Sequence, residues 1–482
     1  MPDQDRANEL LQKAIEQAQC GGIIEAMRLF GQVLEIVPGN PVVLYNQGLA
    51  QQRAGMIEES VITYKAATEF QPQFSEAWIN LSQALMQLDR DVEALEAAET
   101  ALKFEPSQSS AWLAKGNALR RLHKLDKATE AFQSGLQLTP ADRQLKLSLA
   151  NATRDLGQLN EAIQLLRETI EAHPDFAEAH RDLAHALLLN GEYQEGWIEN
   201  RWRWDTASML GAKRHQSIPE WTGQPLAGRR ILIWDEQGFG DSIQFVRYVP
   251  WVSEMGGEIL LEVQPQLVRL FETIEGTYEI FNRGAEISRV DYQVPLINLP
   301  DVFCSDPNSV PNSVPYLKVD PSFVGKSGKV RVGLCWAGNP VHDNDRNRSL
   351  QFELFKPLLE LTGVDFVGLH VGSHASENIP RIYFTDILQD PVDFYETAEL
   401  VASLDLVITV DTAVAHLTGA LGRKLWVLLP FAPDWRWMLS RDSSLWYPNA
   451  KLFRQPAPGN WAEPVLKIRE KLVNFFNSKE SN

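Results

Sequence analysis

A glycine-rich turn in the C-terminal half has the residues of a ligand-binding loop. The β-like run Arg230–Trp234 is followed by Asp235-Glu-Gln-Gly-Phe-Gly-Asp241, after which a helical pattern begins. Gly238 and Gly240 allow the backbone to approach a ligand closely, and the amides of a helix N-terminus attract anions. Asp241 is therefore predicted either to cap the helix only or to serve a bound ligand as well.

A second polar cluster follows an apolar run near the C-terminus, in Ile408-Thr-Val-Asp-Thr-Ala-Val-Ala-His-Leu-Thr-Gly-Ala-Leu421. The predicted strand delivers Asp411 and Thr412 to the start of a helix, and His416 lies four residues after Thr412 on the same helical face. Ligands of open α/β domains bind at the carboxyl ends of the strands. We therefore predict that these three side chains converge on a ligand. The alternative is that Asp411 caps the helix and His416 is a packing residue.

A third polar segment, Trp336–Ser349, follows another β-like run. Arg346 and Arg348 stand near Gly338 and Asn339 in an otherwise acidic chain. Guanidinium groups and backbone amides of this kind bind diphosphates. The segment is predicted to hold the phosphates of a nucleotide, and the alternative is a solvated loop.

Composition and cysteine placement exclude several classes of protein. The formal charge is -18, so the average surface repels nucleic acid. Cys20, Cys304 and Cys335 are far apart, which excludes a disulfide framework or a zinc ribbon and fits a reducing cytoplasm. Asp343 and Asp345 resemble an acidic metal motif but follow a loop, and we predict no catalytic metal. The sequence has neither a signal-peptide pattern nor a membrane-spanning run, and we predict a cytoplasmic location without integral membrane contact.

The elements that must position these motifs are short strands alternating with helices, from Pro219 onward. The predicted strands are Arg230–Trp234, Glu258–Val263, Val330–Trp336, Val364–Leu369, Leu404–Val410 and Lys424–Leu429. Alternating strands and helices predict parallel sheets. The Pro-, Ser- and Asn-rich segment Leu299–Pro315 is predicted to be irregular and to link two Rossmann-like halves that face a shared cleft.

Prolines recur every 34 residues in the N-terminal part, at Pro38, Pro72, Pro106, Pro140 and Pro174. Such a period indicates stacked repeats. Small and bulky apolar residues occupy recurrent helical positions between the prolines, which predicts one helical hairpin per repeat. The pattern resembles the tetratricopeptide repeat, with five copies from about residue 7 to 176 and a divergent sixth copy after them.

The sixth copy resembles the capping unit that a repeat array requires. Trp197, Trp202 and Trp204 lie at its end. They are predicted either to pack between domains or to fill the core of the cap itself. The resulting boundaries are a repeat array with capping helices over 7–205 and a connector over 206–227.

The three polar motifs together resemble bacterial glycosyltransferases of the ADP-heptose:lipopolysaccharide heptosyltransferase type, which form glycosyltransferase family nine. This resemblance implies a GT-B fold, with an N-terminal Rossmann-like half over 228–315 and a C-terminal nucleotide-sugar-binding half over 316–482. The fold class implied for the whole chain is an α-helical repeat solenoid followed by an α/β GT-B domain. Ala413 stands where the family usually has glycine.

The same resemblance implies roles for individual residues. Asp241 would be the catalytic base, with Glu236 in reserve. Asp411, Thr412 and His416 would contact the diphosphate and sugar of the donor, and Arg348 would be the basic residue near the phosphates. The implied reaction is an inverting transfer from a nucleotide-sugar co-substrate, with no other cofactor and no metal.

Repeats ahead of a GT-B domain are similar in layout to protein O-GlcNAc transferases and to repeat-bearing flagellin glycosyltransferases. This layout implies a protein or peptide acceptor. Asn46 and Asn80 occupy equivalent positions on successive first helices, where asparagines can bind a peptide backbone, although Ala114 and Ser148 interrupt the series. The alternative is a repeat scaffold whose GT-B domain is weak or inactive as a catalyst. The donor sugar, its nucleotide, the acceptor, the stereochemical outcome (inverting or retaining) and the oligomeric state stay open.

Overall fold

The computed structural model describes residues 2–276, 279–321, 329–342, 344–370, 382–383 and 393–479. It divides into two compact units, Met1–Asp175 and Phe176–Asn482. Among the described residues, no helix is both long enough and apolar enough to cross a membrane.

The first unit is a series of antiparallel helical hairpins. Its helices are α1 (Pro2–Gln19), α2 (Ile23–Ile36), α3 (Pro41–Arg53), α4 (Ile57–Phe70), α5 (Ser75–Gln87), α6 (Asp91–Phe104), α7 (Ser109–Arg121), α8 (Leu125–Leu138), α9 (Arg143–Asp155) and α10 (Leu159–Ala172). Each pair packs within its hairpin and against the next one. The 34-residue proline period therefore corresponds to one hairpin, as the sequence predicts.

Small residues permit close contact inside these hairpins. A Cβ atom added to Gly116 would lie 2.3 Å from Cε1 of Phe132, and one added to Gly48 would lie 2.6 Å from Cε1 of Tyr64. The aromatic positions also fix the turns, because the indole nitrogen of Trp78 donates to the carbonyl of Pro72 at 2.9 Å. The glycines are thus required by the approach of α3 to α4 and of α7 to α8.

The second unit begins with the sixth hairpin, α11 (Ala177–Asn190) and α12 (Tyr193–Glu199), followed by the α/β region. The strands are β1 (Arg230–Trp234), β2 (Glu258–Val263), β3 (Glu279–Asn282), β4 (Tyr292–Pro295), β5 (Val330–Cys335), β6 (Val364–Gly368), β7 (Ile382–Tyr383), β8 (Leu406–Val410), β9 (Leu425–Leu429) and β10 (Ala450–Arg454). The helices between and after them are α13 (Phe239–Phe245), α14 (Val249–Glu254), α15 (Val268–Phe271), α16 (Leu299–Val302), α17 (Asp345–Arg348), α18 (Lys356–Leu359), α19 (Phe394–Ala402), α20 (Ala413–Ala420) and α21 (Ala462–Lys479).

Two parallel sheets organise this region. The first has the order β3-β2-β1-β4 and the second the order β10-β9-β8-β5-β6-β7. The second is the doubly wound Rossmann order, in which the strand order reverses between β5 and β8 and leaves a crevice at the carboxyl ends. The first repeats the same reversal between β1 and β4. The prediction of two parallel α/β halves is therefore confirmed.

The segment Leu299–Pro315 is more structured than predicted. Its first four residues form α16, and the chain is irregular only after that helix. The buried guanidinium of Arg247 donates to the carbonyl of Pro311 at 2.9 Å and to the carbonyl of Trp446 at 2.8 Å. The prediction that the whole segment is irregular is wrong, because apolar residues at its start complete a helical turn.

The three tryptophans in and after α12 fulfil both of their predicted alternatives. Trp197 packs against Trp435, with ring centroids 5.2 Å apart, and Trp204 packs against Trp234 of β1 at 5.5 Å. Trp202 instead stacks on His180 of α11 at 4.1 Å. Two rings thus join the sixth hairpin to the α/β region, and one stays within the hairpin.

Candidate functional site

The turn after β1 presents Asp241 at the start of α13. The N-cap of this helix is Gly238, and the Oδ2 atom of Asp241 accepts a hydrogen bond from the Gly238 amide at 3.0 Å. The carboxylate therefore satisfies an amide that the first helical turn leaves open. The predicted N-cap role of Asp241 is wrong, because Asp241 is the third residue of the helix. Its side chain is 21% exposed and accessible from the crevice.

The other oxygen of Asp241 pairs with an arginine from the second sheet. Oδ1 accepts a hydrogen bond from Nη2 of Arg436, which lies in the segment after β9. Nη1 of Arg436 donates to Asp434 at 2.9 Å, and Nε donates to Gln244 at 2.5 Å. One guanidinium thus links α13 of the first half to the segment after β9 of the second half.

The turn after β8 lies directly against the turn after β1. A Cβ atom added to Gly240 would lie 2.9 Å from Cδ2 of His416 and 3.6 Å from Cα of Ala413. Only glycine fits this approach without movement of the histidine ring. The two motifs that the sequence singles out therefore meet at one place, at the N-termini of α13 and α20.

The side chains of the second motif converge only in part. Nε2 of His416 lies 3.9 Å from Oδ1 of Asp411, and Nδ1 of His416 lies 2.9 Å from the hydroxyl of Tyr447. Thr412 is the N-cap of α20, so Asp411 is not the cap. The Thr412 hydroxyl instead lies 3.2 Å from the hydroxyl of the buried Thr409. The predicted alternative that Asp411 caps the helix is wrong, because the chain enters helical geometry one residue later.

The third motif reaches the same turn through Arg348. Its Nη1 atom donates to the backbone carbonyl of Asp411 at 3.0 Å, and its Nε atom donates to Asp345 at 3.2 Å. A Cβ atom added to Gly338 would lie 2.6 Å from Nη2 of Arg348. Gly338 and Arg348 are thus packed together beside Asp411.

The other two residues of this motif stand at its surface. Asn339 is exposed, and its carboxamide oxygen accepts a hydrogen bond from the Val341 amide at 3.0 Å. Arg346 is half-buried on α17. Their predicted contacts with a donor stay predictions.

Glu236 belongs to the turn after β1, and its side chain is buried. Its carboxylate forms two hydrogen bonds with Arg203, at 2.7 and 2.8 Å, and its side chain is 1% exposed. Burial raises the pKa of Glu236, and the Arg203 guanidinium opposes that shift. The same Arg203 donates to Asn298 at 2.7 Å. An acceptor hydroxyl cannot reach Glu236 without displacing this network.

Burial and nearby charges shift the pKa values of Asp411 and His416. Burial, together with the negative charge of Asp434, raises the pKa of Asp411 to about 6. Burial and the positive charge of Arg436 hold the pKa of His416 well below its usual range. His416 is therefore a neutral imidazole at pH 7, with Nε2 directed towards Asp411 and Nδ1 engaged by Tyr447.

Sequence reasoning missed four residues that shape this site: Arg203, Asp434, Arg436 and Tyr447. A signal exists for two of them, because the run Phe431-Ala-Pro-Asp-Trp-Arg-Trp-Met438 follows β9 closely. Charged side chains after a buried strand lie at the carboxyl edge of a parallel sheet, where ligands bind. Arg203 and Tyr447 carry no comparable local pattern.

Asn46 and Asn80 of the repeats form hydrogen bonds within the repeat array. Nδ2 of Asn46 donates to the carbonyl of Val42 at 2.8 Å, and Nδ2 of Asn80 donates to the hydroxyl of Tyr45 at 3.1 Å. Both side chains are half-buried. Their predicted role in binding a peptide stays a prediction.

The structure combines an N-terminal array of helical hairpins with a C-terminal α/β region of two parallel sheets. The tetratricopeptide repeat family model matches residues 45–108, 93–143 and 147–196. The predicted repeats are therefore confirmed in the N-terminal region, and the match extends into α11 and α12.

Protein FlbA of Caulobacter vibrioides is 28% identical over 327 residues, which cover 61% of this chain and 54% of FlbA. The chain thus spans about half the length of that relative. A tetratricopeptide-repeat protein of Thermus thermophilus is 22% identical, with 38% of this chain and 99% of that chain covered and a TM-score of 0.34. One from Parabacteroides merdae is 19% identical, with coverages of 40% and 77% and a TM-score of 0.37.

Replacing Gly240 with alanine tests the close approach of the two turns. The added methyl group forces His416 to move, and we expect the free energy of unfolding to fall by about 1–3 kcal/mol, because the helix preference of alanine offsets only part of the overpacking. Gly238→Ala is the matched control, since its Cβ would meet only Oδ2 of Asp241 at 3.4 Å. Equal stability of the two variants in urea denaturation would contradict the assigned contact.

Replacing Asp411 with asparagine tests its raised pKa. The folded-state pKa of Asp411, about 6, lies above the ordinary value for an aspartate. Between about pH 4 and 6 the folded protein therefore binds more protons than the unfolded chain, and stability falls as pH rises. The asparagine variant lacks this loss. We therefore expect its stability relative to the parent to increase from pH 4 to pH 7 in urea denaturation, and a difference independent of pH would refute the assignment.

Proposed function

We propose that the second unit is a metal-independent GT-B glycosyltransferase that moves a sugar from a nucleotide-sugar to an acceptor hydroxyl. The observation that carries the proposal is the contact of Gly240 with His416, which joins an accessible carboxylate, Asp241, to the polar turn after β8. Two doubly wound sheets with their crevice at this contact are the arrangement that a GT-B enzyme needs.

In the proposed reaction, Asp241 accepts the proton of the acceptor hydroxyl while its oxygen attacks the anomeric carbon of the donor. The bond from that carbon to the diphosphate breaks, and the electron pair leaves with the nucleotide. Arg348 and the amides at the start of α20 stabilise the charge that develops on the diphosphate. His416, neutral and fixed by Tyr447, orients the donor beside Asp411.

The remaining predicted residues take supporting positions in this proposal. Gly238 and Gly338 allow close backbone approach, while Arg346 and Asn339 line the outer part of the donor site. Glu236 holds the turn after β1 through its ion pair with Arg203, so we assign it a positioning role and not that of base. The tetratricopeptide repeats then hold a protein or peptide acceptor, with Asn46 and Asn80 as candidate contacts.

The proposal is tested by measuring sugar transfer and donor hydrolysis across a panel of nucleotide-sugars, in EDTA and in magnesium. Equal rates in the two buffers are expected, since Arg348, Arg436 and helix amides supply the positive charge. Activity that disappears on chelation and returns with a divalent ion would refute metal independence.

One observation favours a second function, that of a scaffold with an inactive α/β unit. Asp241 is paired with Arg436, so its Oδ1 atom is already occupied by a hydrogen bond and is not free to meet an acceptor hydroxyl. In a scaffold, this ion pair would serve only to hold the two halves together. The same nucleotide-sugar panel separates the two functions, because a scaffold gives no turnover with any donor.

Two truncations test the division of labour between the units. Removal of residues 1–175 is expected to leave donor hydrolysis within about threefold of the parent, because every proposed donor contact lies in the second unit, and to abolish transfer to the protein acceptor. Removal of residues 1–205 also deletes Trp197 and Arg203, which pack and pair within the second unit, and is expected to prevent stable folding. Undiminished transfer by the first truncation would contradict acceptor binding by the repeats.

A further inference from the structure

Arg436 connects the two halves of the α/β unit through its guanidinium group. Three of the five N–H groups of an arginine are engaged here, by Asp241, Asp434 and Gln244. Its guanidinium carbon also lies 4.4 Å from the centre of the Trp435 ring. The side chain is 12% exposed, so it is held at the inner wall of the crevice.

The charges around this guanidinium are unfavourable for an anionic ligand. Asp241 and Asp434 pair with it directly, and Asp411 lies close enough for both Asp434 and Arg436 to influence its ionisation. Arg348 approaches the same turn from the other side, through the carbonyl of Asp411. A diphosphate that enters therefore meets three carboxylates and needs a larger share of the positive charge of Arg436.

We propose that Arg436 exchanges Asp241 for a phosphate oxygen of the donor, so that donor binding both completes the phosphate site and releases Asp241 to act as the base. This inference rests on the proposed function. Without a donor, the Oδ1 atom of Asp241 is occupied by the hydrogen bond from Arg436. Once the phosphate has replaced it, Asp241 accepts the proton of the acceptor hydroxyl, and Arg436 stays with the departing diphosphate.

The exchange predicts competition between Asp241 and phosphate for one guanidinium, which binding measurements can detect without any turnover. The full chain is titrated by calorimetry with UDP, GDP, ADP and dTDP in buffer containing EDTA. Arg436→Gln is expected to weaken binding of the nucleotide that the parent selects by about 10- to 100-fold, which is the worth of a charge-assisted hydrogen bond.

Asp241→Asn removes the competing charge and is expected to tighten binding of that nucleotide by about 5-fold or more, the low end of a typical coupling between sites. In an Arg436→Gln background the same Asp241→Asn change should have no effect on affinity. Arg436→Lys keeps the charge but loses donors and the stacking on Trp435, so it should bind the nucleotide more weakly than the parent and more tightly than Arg436→Gln. Arg441→Gln is the control for loss of a positive charge, because the Arg441 side chain donates to the carbonyl of Ser443.

The results separate this inference from the proposed function. If the parent binds a nucleotide and Arg436→Gln binds it equally well, the exchange is overturned while the glycosyltransferase proposal stands. Weaker binding by Asp241→Asn also overturns the exchange, because it would make the ion pair part of the binding-competent state. If Arg436→Gln fails to fold, Arg436→Lys takes its place: the exchange predicts that Asp241→Asn tightens binding less in the Arg436→Lys background than in the parent, and equal gains in the two backgrounds overturn it. Binding of none of the four nucleotides by the parent would overturn both proposals.

Discussion

Replacing Asp241 with asparagine is expected to lower turnover by about 10²- to 10⁴-fold, which is the usual contribution of a positioned general base. The asparagine oxygen can still accept the hydrogen bond from the Gly238 amide, so the first turn of α13 should persist. The variant loses the charge that takes the proton and the ion pair with Arg436. Initial rates with saturating donor and acceptor measure the effect on turnover directly.

This result needs a control for the loss of an ion pair. Asp301→Asn removes a carboxylate that pairs with Arg201, an arginine that is 46% exposed, and it should leave the rate within about twofold of the parent. If Asp241→Asn turned over at the parental rate, Asp241 would serve only to bond the first turn of α13 and to pair with Arg436. The base would then have to be sought elsewhere in the crevice.

Replacing Arg203 with methionine is expected to reduce the free energy of unfolding by about 3–5 kcal/mol, because Glu236 then remains buried without its partner. Arg203 and Glu236 are 3% and 1% exposed, so water cannot replace the lost hydrogen bonds without rearrangement. Urea denaturation followed by tryptophan fluorescence measures this loss. Adding Glu236→Gln to the variant should restore part of the stability, since it removes the unpaired charge.

Arg201→Met is the matched comparison, two residues away on the same segment. Its ion pair with Asp301 is largely solvated on the arginine side, and such pairs contribute about 0–1 kcal/mol. If Arg203→Met were no more destabilising than Arg201→Met, Glu236 would not depend on this pairing. The reserve role of Glu236 as a base would then need direct testing by activity.

The sequence predicts elements whose signals are local. The strand boundaries of β1 and β2 agree with the apolar runs, and those of β5, β6, β8 and β9 agree within two residues. The proline period marks the hairpins because a proline follows each second helix. The strands β3, β4, β7 and β10 were not predicted. The first three have only two to four residues and too little pattern to be distinguished from loops, and a lysine and an arginine interrupt the apolar run of β10.

In the candidate site, too, local motifs could be predicted from the sequence, whereas contacts between residues far apart in the chain could not. Gly240 and His416 were singled out by their motifs, yet their contact depends on how two halves of a unit pack. Arg436 lies 195 residues from Asp241 in the chain, and no local pattern links them. The observed N-caps, Gly238 and Thr412, lie three residues before Asp241 and one residue after Asp411, the caps considered from the sequence. Neither observed cap forms a side-chain capping hydrogen bond, so the side-chain type does not mark the start of the helix.

The most direct test of the central claim is a thermal-shift measurement of the full chain with UDP-, GDP-, ADP-, dTDP- and CMP-sugars in buffer containing EDTA. A ligand at 100 times its dissociation constant stabilises the state that it binds by about 2.7 kcal/mol, which is readily detected. At least one of these nucleotide-sugars is expected to raise the unfolding temperature of the parent, and Arg348→Gln is expected to reduce the shift. Unfolding temperatures unchanged by every member of the panel would contradict a nucleotide-sugar site in the α/β unit.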